Sequence, residues 1–124
     1  MAEGKFATSI TCMDGRIQIP IIDWIKANYS VDYVDTITEP GVDKKMSHNI
    51  DLETVKIKVD ISINAHKSGL IAVSGHFDCA GNPVSNDEHM SHIKKSVDVI
   101  NSWKYNVPVI GLWINQNWQV EKIR

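Results

Sequence analysis

Three side chains that could do chemistry alternate where an apolar run ends, in the stretch ITCMDGRI at residues 10–17. They are Cys12, Asp14 and Arg16. Because alternate side chains of an extended strand point to the same side, these three can converge on one place. A thiolate is a soft metal ligand, a carboxylate can bind a metal or orient its water, and an arginine can engage a carboxylate bidentately. The stretch predicts either a chemical site or a strand end with a surface ion pair.

A second group of candidate ligands lies in SGHFDCAGNP at residues 74–83. His76 and Cys79 stand three residues apart in a predicted turn, where flanking glycines permit a tight backbone. Cys12 would complete a set of two thiolates and one imidazole, which suits zinc and leaves a fourth position for water or for Asp14. An isolated cysteine more often only fills space in a core, so the prediction depends on all three ligands meeting.

The elements that must bring these groups together alternate between strands and helices. Strands are predicted at residues 5–14, 31–38, 69–75, 107–115 and 117–123, and helices at residues 20–29, 50–66 and 85–104. This alternation predicts a single-domain, three-layer α/β/α fold. Its mostly parallel sheet has strand order 2-1-3-4 and a short antiparallel last strand. In that order, Cys12 and the turn with His76 and Cys79 meet at the carboxyl ends of neighbouring strands, where open α/β sheets bind their ligands.

The segment at residues 50–66 fits two patterns. Its apolar residues alternate from Val55 to Ile63, as in a strand, yet Val55, Val59 and Ile63 also share one helical face. We predict a helix, because a crossover between parallel strands usually needs one. Ile57 and Ile61 then form a second apolar stripe, which a partner subunit could cover.

Length, charge and cysteine content narrow the classes of function. The 124 residues, 43% of them hydrophobic, are expected to form one domain over residues 1–124. A net charge of −2 gives no reason to expect a nucleic acid or an anionic membrane as a partner. No apolar run reaches the roughly 18 residues of a spanning helix, and no signal peptide is recognised. Two cysteines without an export signal favour reduced thiols and a cytoplasmic location.

The two motifs, taken together, resemble a known family. Cys-x-Asp-x-Arg at a strand end, followed some sixty residues later by Gly-His-x-x-Cys-x-Gly, is similar to the β-class carbonic anhydrases. The resemblance extends over residues 6–113. It implies that Cys12, His76 and Cys79 bind Zn²⁺ and that Asp14 and Arg16 form a catalytic dyad. In this family the arginine holds the aspartate away from the metal, and zinc-bound hydroxide converts carbon dioxide to bicarbonate.

The resemblance also implies a homodimer or a higher homo-oligomer and a small-molecule substrate. The chain departs from the family at residues 38–46, TEPGVDKKM, where an Arg-Asn-Ala-Gly stretch usually lines the pocket. The family's glutamine before the cysteine motif has no counterpart. Two alternatives to carbon dioxide hydration therefore stay open. One is hydrolysis of a related molecule such as carbonyl sulfide or carbon disulfide, and the other is a non-catalytic zinc-binding or anion-sensing protein of the same fold.

Other polar and aromatic residues receive more ordinary predictions. His89 and His92 stand three apart on the predicted third helix and are expected to be solvated. Asp78 is expected to cap its turn or to face water. The four tryptophans are expected to be anchors of the core or of an interface.

Overall fold

The computed structural model describes residues 3–124, which form one mixed sheet covered by helices. The elements are β1 Phe6–Thr11, α1 Gln18–Tyr29, β2 Tyr33–Thr38, α2 Val42–Ser47, α3 Glu53–His66, β3 Ile71–His76, α4 Asn86–Ser102, β4 Val109–Ile114 and β5 Val120–Lys122. The strand order is β2-β1-β3-β4-β5. The first four strands are parallel, and β5 runs antiparallel to β4. The predicted α/β class, strand order and antiparallel last strand are confirmed.

The helices cover both faces of the sheet, so the fold has the predicted three layers. On one face α1 buries Ile21 and Ile25 against side chains that include Ala72 of β3 and Leu112 of β4. On the other face α2, α3 and α4 pack over a second cluster centred on β1 and β3. Every residue of β3 is buried, as expected for a central strand with both faces covered.

The ambiguous segment is helical. α3 spans Glu53–His66 and turns Val55 and Val59 towards the sheet, where they are 1% and 0% exposed. The helix prediction is confirmed and the alternative strand is wrong. Ile57 and Ile61 lie on the outer side and are 58% and 56% exposed. Because apolar side chains this exposed leave their surface in water, the second stripe is an uncovered face of the chain.

Helix α2 is not among the predicted elements, because it lies between the strand predicted at residues 31–38 and the helix predicted at residues 50–66. Its six residues make less than two helical turns, which is too short for an apolar period to stand out. Gly41 precedes it with φ of +56°, and Val42 and Met46, four residues apart, are both fully buried. Packing of this one short face against the core stabilises the helix. Such tertiary contacts cannot be read from a local sequence pattern, so the helix was missed.

The longest helix, α4, begins where its sequence indicated. The Ser85 hydroxyl accepts a hydrogen bond of 3.2 Å from the backbone N–H of Glu88 and so caps the first turn of the helix. Even α4 has only 17 residues, and no helix in the described part of the chain is both long and apolar enough to span a membrane.

Candidate metal centre

The three predicted metal ligands come together at the carboxyl edge of the sheet. Cys12 directly follows β1, His76 is the last residue of β3, and Cys79 lies in the turn beyond it. Because β1 and β3 are parallel neighbours, their ends meet. One ligand atom from each residue lies within 4.8 Å of the other two, and all three residues are buried. This spacing allows all three to coordinate a single ion.

The imidazole of His76 is oriented as a metal ligand. Its Nδ1 lies 2.7 Å from the carbonyl oxygen of Phe77, to which only a protonated Nδ1 can donate. Its Nε2 is buried and has no hydrogen-bond partner among residues 3–124. Buried polar atoms are rarely left unpaired, and histidine ligands commonly donate their second N–H to a carbonyl oxygen. The unpaired Nε2 therefore fits a metal ion.

The two sulfur atoms form a hydrogen-bonded pair. Cys12 Sγ accepts a hydrogen bond from the Cys79 thiol at 4.0 Å and another from the Gly41 N–H at 3.4 Å. The hydrogen bond from Cys79 lowers the pKa of Cys12 to about 4, although burial acts in the opposite direction. The same hydrogen bond, together with burial, raises the pKa of Cys79. Both cysteines are free, and two thiolates with one imidazole match the soft donor set that zinc prefers.

Asp14 and Arg16 form a bidentate ion pair beside these ligands. Arg16 Nε donates to Oδ1 at 3.0 Å and Nη2 donates to Oδ2 at 2.7 Å, while the Arg16 backbone N–H also binds Oδ1. The hydrogen bond from the guanidinium lowers the pKa of Asp14 to about 2. Among the described side chains, Asp14 does not belong to the group of candidate metal ligands. Its carboxylate is bound to Arg16 instead, so an ion held by the other three residues would have room for a fourth, small ligand.

Gln18, at the start of α1, was not predicted to have a role. Its side-chain amide donates to the backbone carbonyls of Cys12 at 2.8 Å and of Asp14 at 2.9 Å. These two bonds fix the backbone that carries both the first ligand and the dyad aspartate. The position of Gln18, two residues after CMDGR, is the sequence signal that could have suggested this role.

Arg16 also contacts residues from two other parts of the chain. Its Nη1 lies 3.2 Å from Asp78 Oδ2, its Nη2 donates to the Asp78 carbonyl at 3.1 Å, and its guanidinium carbon lies 4.6 Å from the centre of a Trp118 ring. Asp78 is 69% exposed, as predicted, but it also pairs with Arg16. Trp118 is only partly buried.

The prediction that His89 is solvated is wrong. Its side chain is 2% exposed, and Nδ1 lies 2.6 Å from Oδ2 of Asp43, which is equally buried. The error follows from the missed helix: Asp43 lies on α2, whose packing against α4 encloses both groups. His92, one turn further along α4, is half-buried and lies 3.0 Å from the amide nitrogen of Asn82, and burial lowers its pKa.

The glycines of the second motif serve close packing, which differs from the expected role in a tight turn. Neither Gly75 nor Gly81 has a positive φ. A Cβ on Gly75 would stand 2.7 Å from Oδ2 of Asp43, and one on Gly81 would stand 2.6 Å from the backbone nitrogen of Gly41. Both contacts press the segment containing α2 against the strand and turn that carry His76 and Cys79.

A comparison with protein families identifies the chain's relatives. The profile of the family described as "Putative carbonic anhydrase" matches residues 2–124, nearly the whole chain. The chain belongs to this carbonic anhydrase family. The resemblance inferred from the two motifs is therefore confirmed. No curated protein gives a significant match to this sequence.

Solved structures with the same fold include several carbonic anhydrases. The β-carbonic anhydrase isoform I of Trichomonas vaginalis aligns with a TM-score of 0.67 at 19% identity, and the carbonic anhydrase of Streptococcus mutans with 0.67 at 13%. The enzyme from Glaciozyma antarctica gives 0.63 at 14%. Each alignment covers 94% of this chain and 81% of the other. At such low identity these matches establish only the fold, which is that of the β-class carbonic anhydrases.

Proposed function

We propose that this protein is an enzyme that catalyses the zinc-dependent, reversible hydration of carbon dioxide to bicarbonate. One observation carries the proposal. The buried Nε2 of His76 has no hydrogen-bond partner in the described part of the chain. It lies beside two free cysteine sulfurs, where the ends of β1 and β3 meet in this carbonic anhydrase family fold. An Asp–Arg pair lies next to that position, as the family resemblance implies.

In the proposed site, Cys12, His76 and Cys79 hold the zinc ion. The Phe77 carbonyl fixes the His76 tautomer, and the Gly41 N–H stabilises the Cys12 thiolate. When bound, zinc acts as a Lewis acid that generates a nucleophile from water near neutral pH. Burial of all three ligands keeps competing water away from the bonds that hold the ion.

Asp14 has the proposed role of orienting the attacking nucleophile. Its depressed pKa keeps it ionised at neutral pH, so it can only accept a hydrogen bond, and that defines the direction of the donor. Arg16 holds the Asp14 carboxylate with two parallel hydrogen bonds and so prevents it from coordinating the metal itself. The proton released in each turnover passes to buffer or to a surface histidine.

We further propose that the active form is a homodimer or a higher homo-oligomer. The supporting observation is the uncovered apolar face of α3, where Ile57 and Ile61 are more than half exposed.

The proposed substrate is a small neutral molecule, with no nucleic acid or membrane as a partner. We propose a cytoplasmic location, where reducing conditions preserve the two thiolates, and treat residues 1–124 as one β-carbonic-anhydrase-like domain.

A stopped-flow hydration assay on zinc-loaded protein tests this function. Wild type should hydrate carbon dioxide, and Arg16→Ala should lose at least about tenfold in rate, equal to about 1.4 kcal/mol of barrier, while it retains zinc. Arg16→Lys should recover only part of the rate, because an ammonium cannot bind a carboxylate with two parallel bonds. Zinc-loaded wild type that turns over only carbonyl sulfide or carbon disulfide would replace the substrate in this proposal. Protein that binds zinc and anions without any turnover would show a non-catalytic zinc or anion-sensing protein.

A further inference from the structure

Arg16 is enclosed by groups that lie far from it in sequence. Asp78, in the turn after β3, offers both its carboxylate and its backbone carbonyl to the guanidinium, at 3.2 and 3.1 Å. Trp118, in the turn between β4 and β5, places a ring 4.6 Å from the guanidinium carbon. Arg16 thus has two anionic neighbours, Asp14 and Asp78, and one aromatic neighbour. We call Asp78 and Trp118 the Arg16 brace.

The backbone of Trp118 is unusual for so large a residue. A β-turn begins at Asn115, whose carbonyl accepts the N–H of Trp118 at 2.9 Å, and Trp118 itself has φ of +59°. Hairpins with this arrangement usually carry glycine at the left-handed position, because a Cβ is strained there. Asp78 also has a positive φ, of +58°. A bulky residue in the left-handed region is an outlier, and such outliers cluster at functional sites.

The exposure of the Arg16 side chain explains why it needs additional contacts to stay in place. Its side chain is 46% exposed, and exposed ion pairs are weak because water competes and the long side chain must be ordered. Two hydrogen bonds to Asp14 alone would leave the guanidinium free to exchange partners with water. An aromatic ring near the cation and a second carboxylate each limit the orientations of the guanidinium.

We propose that Trp118 and Asp78 are positioning residues that hold Arg16 against Asp14 and so keep the fourth metal position open. The importance of an open fourth metal position rests on the proposed function. The positioning of Arg16, in contrast, is a property of the chain that can be measured without metal. In this assignment Trp118 is not itself a metal ligand, and its role is exerted through Arg16.

The first measurement follows the Arg16 side chain by NMR in zinc-free protein. In wild type the Nε–H of Arg16 should show an upfield shift from the Trp118 ring and slow exchange with water. Trp118→Leu retains apolar bulk but lacks a ring, so the shift should disappear and exchange should accelerate at least about tenfold. Trp118→Phe should preserve most of both effects, Asp78→Asn should accelerate exchange to a smaller degree, and the control Trp103→Leu should leave Arg16 unchanged.

The second measurement tests the fourth position directly, with Co²⁺ in place of zinc and azide as the probe. Visible absorption should show that Trp118→Leu binds azide at least about tenfold more weakly than wild type, because the released Asp14 occupies the position. Adding Asp14→Ala to Trp118→Leu should restore azide binding. Unchanged Nε–H exchange and azide affinity in Trp118→Leu would overturn the proposal. Wild type that lacks hydration activity but shows the expected Arg16 shifts would refute the proposed function and leave the positioning role intact.

Discussion

The carboxylate of Asp43 and the imidazole of His89 meet 2.6 Å apart in the interior, each 2% exposed. Asp43 lies against Gly75, on the face of β3 opposite to the side chain of the next residue, His76. The Ser96 hydroxyl oxygen also lies 3.2 Å from the Asp43 backbone carbonyl oxygen. Together these contacts join α2 to α4 directly behind the strand that supplies a candidate metal ligand.

Breaking this buried pair should be costly. Asp43→Ala leaves the imidazole of His89 buried without its hydrogen-bond partner, and such losses destabilise proteins by about 1–3 kcal/mol. Urea unfolding monitored by circular dichroism measures the change in the free energy of unfolding. The control Asp23→Ala, at an exposed position on α1, should stay within about 0.5 kcal/mol of wild type. Equal stabilities for the two variants would show that the Asp43–His89 pair contributes nothing.

Gly75 should tolerate no side chain while Asp43 is present. Gly75→Ala would place a Cβ 2.7 Å from Asp43 Oδ2 and 3.1 Å from Cδ1 of Ile93, so the variant should lose about 1–3 kcal/mol of stability. Gly69→Ala is the matched control, since a Cβ there meets nothing within 4 Å. The cost of Gly75→Ala should fall when Asp43→Ala is also present. If Gly75→Ala loses the same stability with and without Asp43→Ala, the loss does not come from the contact with Asp43.

Long periodic segments and short chemical motifs were predictable here for different reasons. α4 repeats its apolar face over several turns, and the ligand motifs each follow a strand whose place in the sheet is fixed by the alternation of elements. Asp43 and His89 were not predictable, because they are 46 residues apart and meet only through α2, a helix too short to show a period. The contact between Trp118 and Arg16 likewise depends on how the β4–β5 turn folds over the site, which no local pattern encodes.

Metal content provides the most direct test of the three proposed ligands. Protein purified under reducing conditions with added zinc should contain about one zinc ion per chain. Cys79→Ser should lose most of it, because a hydroxyl is not deprotonated near neutral pH and binds zinc poorly. Asp78→Asn, one residue away and exposed, is the control and should retain the ion. Elemental analysis that finds no zinc in wild type would contradict the assignment of the site.

The exposed face of α3 should control assembly without affecting the metal. Changing Ile57 and Ile61 together to lysine places two charges on the proposed interface and should shift sedimentation towards the monomer at micromolar concentration. Zinc content should not change, since the two residues lie on α3 and the ligands lie at the ends of β1 and β3. Ile50→Lys, at another exposed apolar position, is the control. A wild-type protein that sediments as a monomer would refute the proposed assembly.

Acid should remove the contribution of Asp14 to stability. Its pKa lies near 2 in the folded chain, below the ordinary value of 3.8, so the ionised carboxylate stabilises the fold above the ordinary pKa. That contribution disappears as the pH falls through the folded value. In zinc-free protein, wild type should therefore exceed Asp14→Asn in urea midpoint at pH 5, and the gap should close towards pH 2. A gap that widens with acid would contradict this sign.

The sulfur atoms of Cys12 and Cys79, 4.0 Å apart, also define how the protein can be damaged. An S–S bond is about 2.05 Å long, so a modest approach of the two side chains suffices for oxidation to join them. The disulfide would consume both thiolates and abolish two of the three ligands at once. A bound ion shields the same electron pairs from oxidants. Loss of metal and loss of reduced thiols are thus linked: a chain stripped of its ion in air should lose its capacity to bind metal until a reductant restores the thiols.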